Sequence, residues 1–321
     1  MCIFGPVIAV RHTENFRVEK NSILTIGTFD GVHLGHQKIL KKLNEIKQKT
    51  GLNSVILTFD PHPRKVLFPD QKDLKLITTT DEKLGLLEHH GVDVSVVYPF
   101  SRAFSQMDAQ SYISDILVKS LKVKHLIIGY DHKFGNNRDG DINTLRAFAK
   151  EYNYEVEEIS VQDIDNINVS SSKIRHALEK GDVELANKYL GYEFFLTGSV
   201  VKGKQLGRTL GYPTANLNVE DSDKMIPAIG IYFVKVIVDG EVFYGMLSIG
   251  KNPTTDTDGL VKIEVNIFEF DRDIYDTNIS ISFIKHLRHE QKFTDLEALK
   301  DQLKRDKETC VKLITELKQH A

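Results

Sequence analysis

The sequence predicts an α/β fold in two parts, a doubly wound parallel-sheet domain followed by an antiparallel β domain with a terminal helix. Three observations carry this expectation. Between residues 22 and 160, short β-rich runs alternate with charged segments of helical period. Beyond residue 189, strand-like segments follow one another without helices between them, and the chain closes on one long amphipathic segment. Its 321 residues also exceed one typical domain of about 150 residues.

In the first part, SILTIGTF, SVILTF, VSVVYPF, KHLIIGY and YEVEEIS read as strands, with helical patterns near 36–49, 81–90, 108–120 and 141–152. Strands separated by helix-length segments imply βαβ units and a parallel sheet covered on both faces. SSSKIRHALEKGDVELANKYL reads as helical with a break at Gly181 and Asp182, which sets a domain boundary of 1–188 and 189–321. FFLTGSVV, GIYFVKVIV, EVFYGMLSI, KIEVNIFEF and NISISFI then predict an antiparallel barrel or sandwich. VDGEV marks a hairpin at Asp239 and Gly240. In the last segment, Thr294 and Glu297 form a capping-box pattern, and Leu296, Leu299, Leu303, Cys310, Leu313 and Leu317 form a stripe expected to pack on the barrel.

The charge balance, 42 Lys plus Arg against 45 Asp plus Glu, gives a net charge of −3 and no electrostatic funnel for nucleic acid. Cys2 and Cys310 lie at opposite ends and form neither a metal spacing nor a disulfide framework, which points to a reducing cytoplasm. MCIFGPVIAV lacks a basic flank and is too short to export or anchor the chain. A cytoplasmic protein with neither a nucleic-acid nor a membrane partner is expected.

Chemistry concentrates in three places. TIGTFDGVHLGH is a strand, a tight turn and a helix start, an arrangement that aims unpaired N–H groups at an anion. His33 and His36 share the first helical turn, and Gly35 lets backbone approach a ligand closely. HLGH alone reads better as a pair of exposed or core histidines; its setting, with the second basic helix start Ser170 to Arg175, favours phosphate. GKQLGRTLGYPTANL combines glycines and Arg208 in a possible phosphate flap with Thr214 and Asn216, hard neutral donors suited to magnesium. It reads equally as a surface loop whose glycines serve turns. Glu264 alternates with Ile263 and Val265, and by itself is a solvated strand carboxylate. No GxxxxGK[ST] loop and no protein-kinase motif set occurs.

In order, GTFDGVHLGH, FDPHPR, GYDHKFG, SSSKIR, GRTLGYPTANL, SIGKNPT, EVNIFEFDRDIY and LRHEQKF resemble the bacterial bifunctional riboflavin kinase and FMN adenylyltransferase family, also called FAD synthetase. The resemblance implies a Rossmann-like nucleotidylyltransferase domain followed by a six-stranded flavokinase barrel. It implies two steps that use ATP and magnesium: riboflavin is phosphorylated to FMN, and FMN is adenylylated to FAD with release of pyrophosphate. It makes Glu264 the general base of the first step, with Thr214 and Asn216 at the metal and Gly203, Gly207 and Arg208 over the nucleotide phosphates. For the second step it implies that His33 and His36 stabilise the reacting phosphates. Gly27, Phe29, Asp30, Gly35, Asp131, Ser171, Ser172, Lys173 and Arg175 would then bind nucleotide and phosphate. Asp60, Pro61 and His62 match a flavin-side loop, and Arg288 and Phe293 the flavin side of the kinase pocket. The chain departs from the family pattern at His132, Thr255, Asn266, Asp276 and Ser172, where phenylalanine, phenylalanine, histidine, glycine and threonine are usual. Against a different nucleotidylyltransferase stand PTANL and Glu264. A class I tRNA synthetase fragment lacks its KMSKS-like segment here. A nucleic-acid-binding barrel would need a basic run beside Tyr212, Tyr232, Phe233 and Tyr244.

Overall fold

The computed structural model describes residues 8–11, 16–70, 73–129, 132–159, 169–203, 207, 211–251 and 261–320. Two compact units divide at Ser171 and Ser172. In the first, six strands form one parallel sheet: β1 (Ile8–Arg11), β2 (Ser22–Ile26), β3 (Asn53–Phe59), β4 (Val94–Tyr98), β5 (Val123–Gly129) and β6 (Glu155–Ile159). Their order is β1-β4-β3-β2-β5-β6. The central strands are apolar on both sides, as a sheet covered twice requires. Leu24, Val55, Leu57, Val96 and Leu126 join one buried cluster, whereas Ile23 and Ile127 pack with Leu43 and Ile46 of α1 (Leu34–Thr50) on the opposite face.

The strand order reverses between β2 and β5, since β3 and β4 lie to one side of β2 and β5 and β6 to the other. In open α/β sheets the crevice at such a switch, beyond the carboxyl ends of the strands, is where ligands bind. The segment that leaves β2 there is the Gly27–His33 turn. α2 (Pro63–Leu67) follows β3, and α3 (Thr80–His89) leads to β4. The helix expected near 108–120 is three α-helical residues, Ala109–Ser111, continued by a π-helix over Tyr112–Ser120, and α4 (Ile142–Tyr152) precedes β6.

The second unit is a closed barrel of β7 (Phe195–Val201), β8 (Ala215–Asn218), β9 (Gly230–Val238), β10 (Glu241–Lys251), β11 (Val261–Ile267) and β12 (Asn278–Arg288). The strands run β10-β11-β8-β7-β12-β9, and the β9–β10 pair closes the ring. The expected hairpin is there: Val238 pairs with Glu241 across Asp239 and Gly240, both at positive φ, as a two-residue turn of type I′ demands.

The terminal helix, Leu296–His320, buries Cys310 and packs Leu303, Leu313 and Ile314 with Ile231, Phe233, Met246 and Phe268. Two expectations about it need correction. Its cap is Asp295, whose carboxylate accepts the Ala298 N–H at 2.8 Å, while the Thr294 hydroxyl donates to that same carboxylate. Leu296 and Leu317 lie near the helix ends and stay exposed, so the apolar seam covers only its middle. A bidentate pair fixes that middle, the Arg288 guanidinium donating to buried Asp306 from Nε to Oδ1 at 3.1 Å and from Nη2 to Oδ2 at 2.7 Å.

α5 (Ser171–Glu179) and α6 (Val183–Leu190) pack with the barrel. Asn187 donates to the Phe283 carbonyl at 2.8 Å and accepts the Phe194 N–H at 2.7 Å, and the Ala228 N–H donates to the Leu178 carbonyl. Ile174, Leu178, Val183 and Leu190 are fully buried. A fragment 172–321 is therefore expected to unfold cooperatively. Starting at 189 should cost it about 3 kcal/mol or more, the worth of two or more buried aliphatic side chains. Urea melts of the two fragments check this; equal midpoints would contradict it.

Candidate active sites

The turn between β2 and α1 holds a backbone that a free peptide would avoid. Phe29 (φ 48°) and Val32 (φ 35°) are left-handed, a conformation that costs non-glycine residues of order 1–3 kcal/mol each. Gly31 lies between them at φ 82°, and a Cβ there would press on Ile77 at 2.9 Å. Packing and hydrogen bonds hold the turn in place. Phe29 and Val32 are buried, and the buried Asp30 carboxylate accepts the N–H groups of Ile77 at 2.9 Å and Thr78 at 3.1 Å. The Gly31 N–H donates to the Thr78 hydroxyl, and the Ser171 hydroxyl donates to the Asp30 carbonyl at 3.1 Å.

This run delivers two stacked imidazoles to the helix start. His33 caps α1, its Nδ1 facing the His36 N–H at 3.4 Å, and the rings lie 3.7 Å apart and nearly parallel. A Cβ on Gly35 would meet the His33 ring at 3.2 Å, so the predicted glycine makes room for the stack. A Cβ on Gly27 would likewise meet the Phe29 ring at 3.2 Å. His36 is partly covered, and its Nδ1 is closed off from solvent without a hydrogen-bond partner. Burial, then His33, then Lys83 push its pKa well below the ordinary histidine value, so the ring is neutral at neutral pH.

Lys83 escaped the sequence reading. It is buried on α3, and its Nζ donates to the Thr58 hydroxyl at 3.1 Å and lies 3.4 and 3.5 Å from the carbonyl oxygens of Thr28 and Phe59. The available signal was its place in the 83, 84, 87 stripe with Leu84 and Leu87, the buried face of that helix. Asp60 accepts the Thr80 hydroxyl at 3.2 Å, His62 caps α2 by accepting the Arg64 N–H, and Pro61 follows a cis peptide bond. All three lie just past the carboxyl end of β3. Ser172, Lys173 and Arg175 lie in the early turns of α5, in the second compact unit. Asp131 and Arg208 lie outside the described residues.

In the barrel, β11 and β8 bring three predicted residues together. Glu264 pairs with Asn216 in register, and the Thr214 hydroxyl donates to the Glu264 carboxylate at 3.2 Å. Gly203 packs on this group so closely that a Cβ would lie 2.2 Å from Asn216 Nδ2. A Cβ on Gly207 would lie 2.3 Å from the Tyr212 carbonyl oxygen. Both predicted glycines are thus places where one chain segment lies against the metal-type donors. Asn266 donates from Nδ2 to the Pro213 carbonyl at 2.7 Å and fixes the segment from behind. Arg288 lies elsewhere than expected of a free ligand donor: it is held by Asp306, donates through Nη1 to the His289 carbonyl, and stands 5.9 Å from the Phe293 ring.

The family models divide the chain in the same way. One described as FAD synthetase matches residues 15–173, and one described as riboflavin kinase matches residues 190–314. The bifunctional riboflavin kinase/FMN adenylyltransferase of Listeria monocytogenes serovar 1/2a is 38% identical over 288 residues, 90% of this chain and 91% of its own. That of Bacillus subtilis strain 168 is 36% identical over 304 residues, 94% of this chain and 95% of its own. This chain belongs to that family. The family's two enzymatic activities, riboflavin phosphorylation and FMN adenylylation in flavin cofactor biosynthesis, use ATP as co-substrate. A solved Streptococcus pneumoniae structure titled a macrolide-efflux protein has a TM-score of 0.84 at 31% identity, over 95% of this chain and 98% of that one. Among the described residues, no helix is long and apolar enough to cross a membrane.

Two outcomes follow from this geometry. Because the native pKa of His36 is depressed, the unfolded chain binds its proton first, and stability falls as pH drops below about 6.5. Melting temperatures measured downward from neutral pH should fall less steeply in His36→Gln. Gly203→Ala should lower the kcat/KM of riboflavin phosphorylation at least about tenfold, since its methyl group must displace Asn216. Flavin chromatography would read that loss, with FAD formation from supplied FMN as the control.

Proposed function

We propose that each reaction has its own site, riboflavin phosphorylation at Thr214, Asn216 and Glu264 and adenylyl transfer at the β2–α1 turn, with the functional boundary at 188/189. The observation that carries the kinase half is the Thr214 to Glu264 hydrogen bond. Glu264 would accept the proton of the ribityl hydroxyl as it attacks the γ-phosphorus of ATP, and ADP leaves. Thr214 steadies the carboxylate, and most of the barrier reduction comes from positioning and charge neutralisation.

Thr214 and Asn216 are hard neutral donors, and among the described residues no group of three or more His, Cys, Asp or Glu could hold a metal. The close seat of Gly203 on Asn216 leaves the amide facing a narrow cradle. This donor set suits magnesium, which keeps several waters and takes the rest of its ligands from phosphates. When bound there, magnesium supplies charge neutralisation of the nucleotide phosphates.

At the turn, the FMN phosphate is the nucleophile toward the α-phosphorus of ATP, and pyrophosphate departs. No protein nucleophile is required. A neutral His36 donates an N–H to a phosphate oxygen as charge builds, His33 does the same from the helix cap, and Gly35 leaves room for the stacked rings. By the family resemblance, Ser171, Ser172, Lys173 and Arg175 would take the departing pyrophosphate, and Asp131 would contact the nucleotide. By the same resemblance, Arg208 would cover the phosphates of the kinase site. Asp60, Pro61 and His62 border the flavin of the transferase, and Arg288 and Phe293 that of the kinase.

The test is a crossed pair of variants. His36→Ala should abolish FAD formation from FMN and leave riboflavin phosphorylation near wild type. Glu264→Gln should lower FMN formation roughly 100-fold and leave FAD synthesis from supplied FMN intact. Chromatography of flavins after incubation with ATP and magnesium separates the products; equal loss of both activities in either variant contradicts the division.

A further inference from the structure

We infer that Lys83 is a positioning residue for adenylyl transfer, the fixed cation that offsets two carboxylates beneath the place where two anionic substrates meet. The inference rests on placing that reaction at the β2–α1 turn. Both substrates bring phosphate: the FMN phosphate must approach the triphosphate of ATP at the carboxyl ends of β2 and β3. That ground is already negative. Asp30 from the turn and Asp60 from the end of β3 face Lys83, and the carbonyls of Thr28 and Phe59 point at its ammonium. Without a buried cation, the field there would repel both substrates.

The geometry suits that role. Lys83 is 6% exposed, so solvent screens its charge little. Its Nζ joins the tips of two adjacent strands by contacting Thr28 on one side and Thr58 and Phe59 on the other. On its own helix, Glu82 accepts the Thr79 N–H at 2.9 Å and completes the cap of α3. From α1, His36 feels the same ammonium. Burial pulls the Lys83 pKa down to about 8, against the two aspartates, so the charge is lost just above physiological pH.

A bracing role and an electrostatic role predict opposite behaviour as pH rises. Unfolded lysine titrates near 10.4, so between pH 8 and that value the unfolded chain holds more protons here and the Lys83 contribution to stability rises. Adenylyl transfer should instead fall about fivefold between about pH 7.5 and 9.5, as the cation is lost. Riboflavin phosphorylation by the same chain, which also uses ATP and magnesium, should not follow it. Lys83→Met should lower kcat/KM for FAD formation from FMN about tenfold near pH 7.5 and remove the high-pH fall. His36→Ala is run beside it. A Lys83→Met protein that matches wild type, or a wild-type ratio of the two activities that is flat with pH, overturns the inference. If Lys83→Met melts early, the wild-type ratio decides alone. Full adenylylation in His36→Ala would remove the turn as the site, and the inference with it. Loss in His36→Ala with none in Lys83→Met would remove the inference and leave the site.

Discussion

A single buried carboxylate, that of Asp30, holds the turn between β2 and α1 in its shape. Asp30 accepts two backbone N–H groups from the segment before α3, and those bonds keep Phe29, Gly31 and Val32 in a left-handed run that the chain would otherwise relax. The run decides where His33 falls, hence where α1 begins, hence the direction in which the first unpaired N–H groups of that helix point. A charge buried this deeply is stable only when its lone pairs are met. Backbone donors from Ile77 and Thr78 meet them, which ties the turn between β2 and α1 to a segment nearly fifty residues later.

The barrel reaches a comparable rigidity by close contact. Gly203 and Gly207 lie against Asn216 and Tyr212 at distances that exclude any side chain, and Asn266 holds the Pro213 carbonyl. Thr214, between these restraints, has little freedom left, and its hydroxyl meets Glu264 across the β8–β11 pair. Arg288 belongs to a second restraint. Its guanidinium is committed to Asp306 and the His289 carbonyl and stands 5.9 Å from the Phe293 ring, which ties the end of β12 to the terminal helix.

What was legible in the sequence depended on repetition along the chain. Closely spaced apolar segments such as GIYFVKVIV and short apolar runs such as SVILTF gave strands where strands are, and Asp239 with Gly240 gave a hairpin that local chemistry alone determines. Features set by distant partners were not legible. β1 is a four-residue edge strand that pairs with β4, too short to show a period. α5 and α6 look like the close of the first domain, yet Asn187 and Leu178 bond to barrel residues, and only the fold reveals those partners. Asp295 displaced Thr294 as the terminal cap because both side chains suit the role and one residue of phase decides it. The His33–His36 pair was visible as spacing. Its stacking on a neutral ring, and the lysine beneath it, depended on burial.

The departures from the family pattern show how much chemistry a position fixes. Asp276 stands where glycine is usual, and its φ is +61°; aspartate is among the few side chains that tolerate that region, and its N–H still donates to the Val200 carbonyl. Asn266, where the family pattern has histidine, presents a donor to the Pro213 carbonyl. His132 replaces phenylalanine and keeps a flat ring, lying at 26° to Phe134. Ser172 retains the hydroxyl of threonine at an exposed position near the start of α5. At these four positions the residue present supplies a left-handed backbone angle, a donor, a flat ring or a hydroxyl; Thr255 lies outside the described residues.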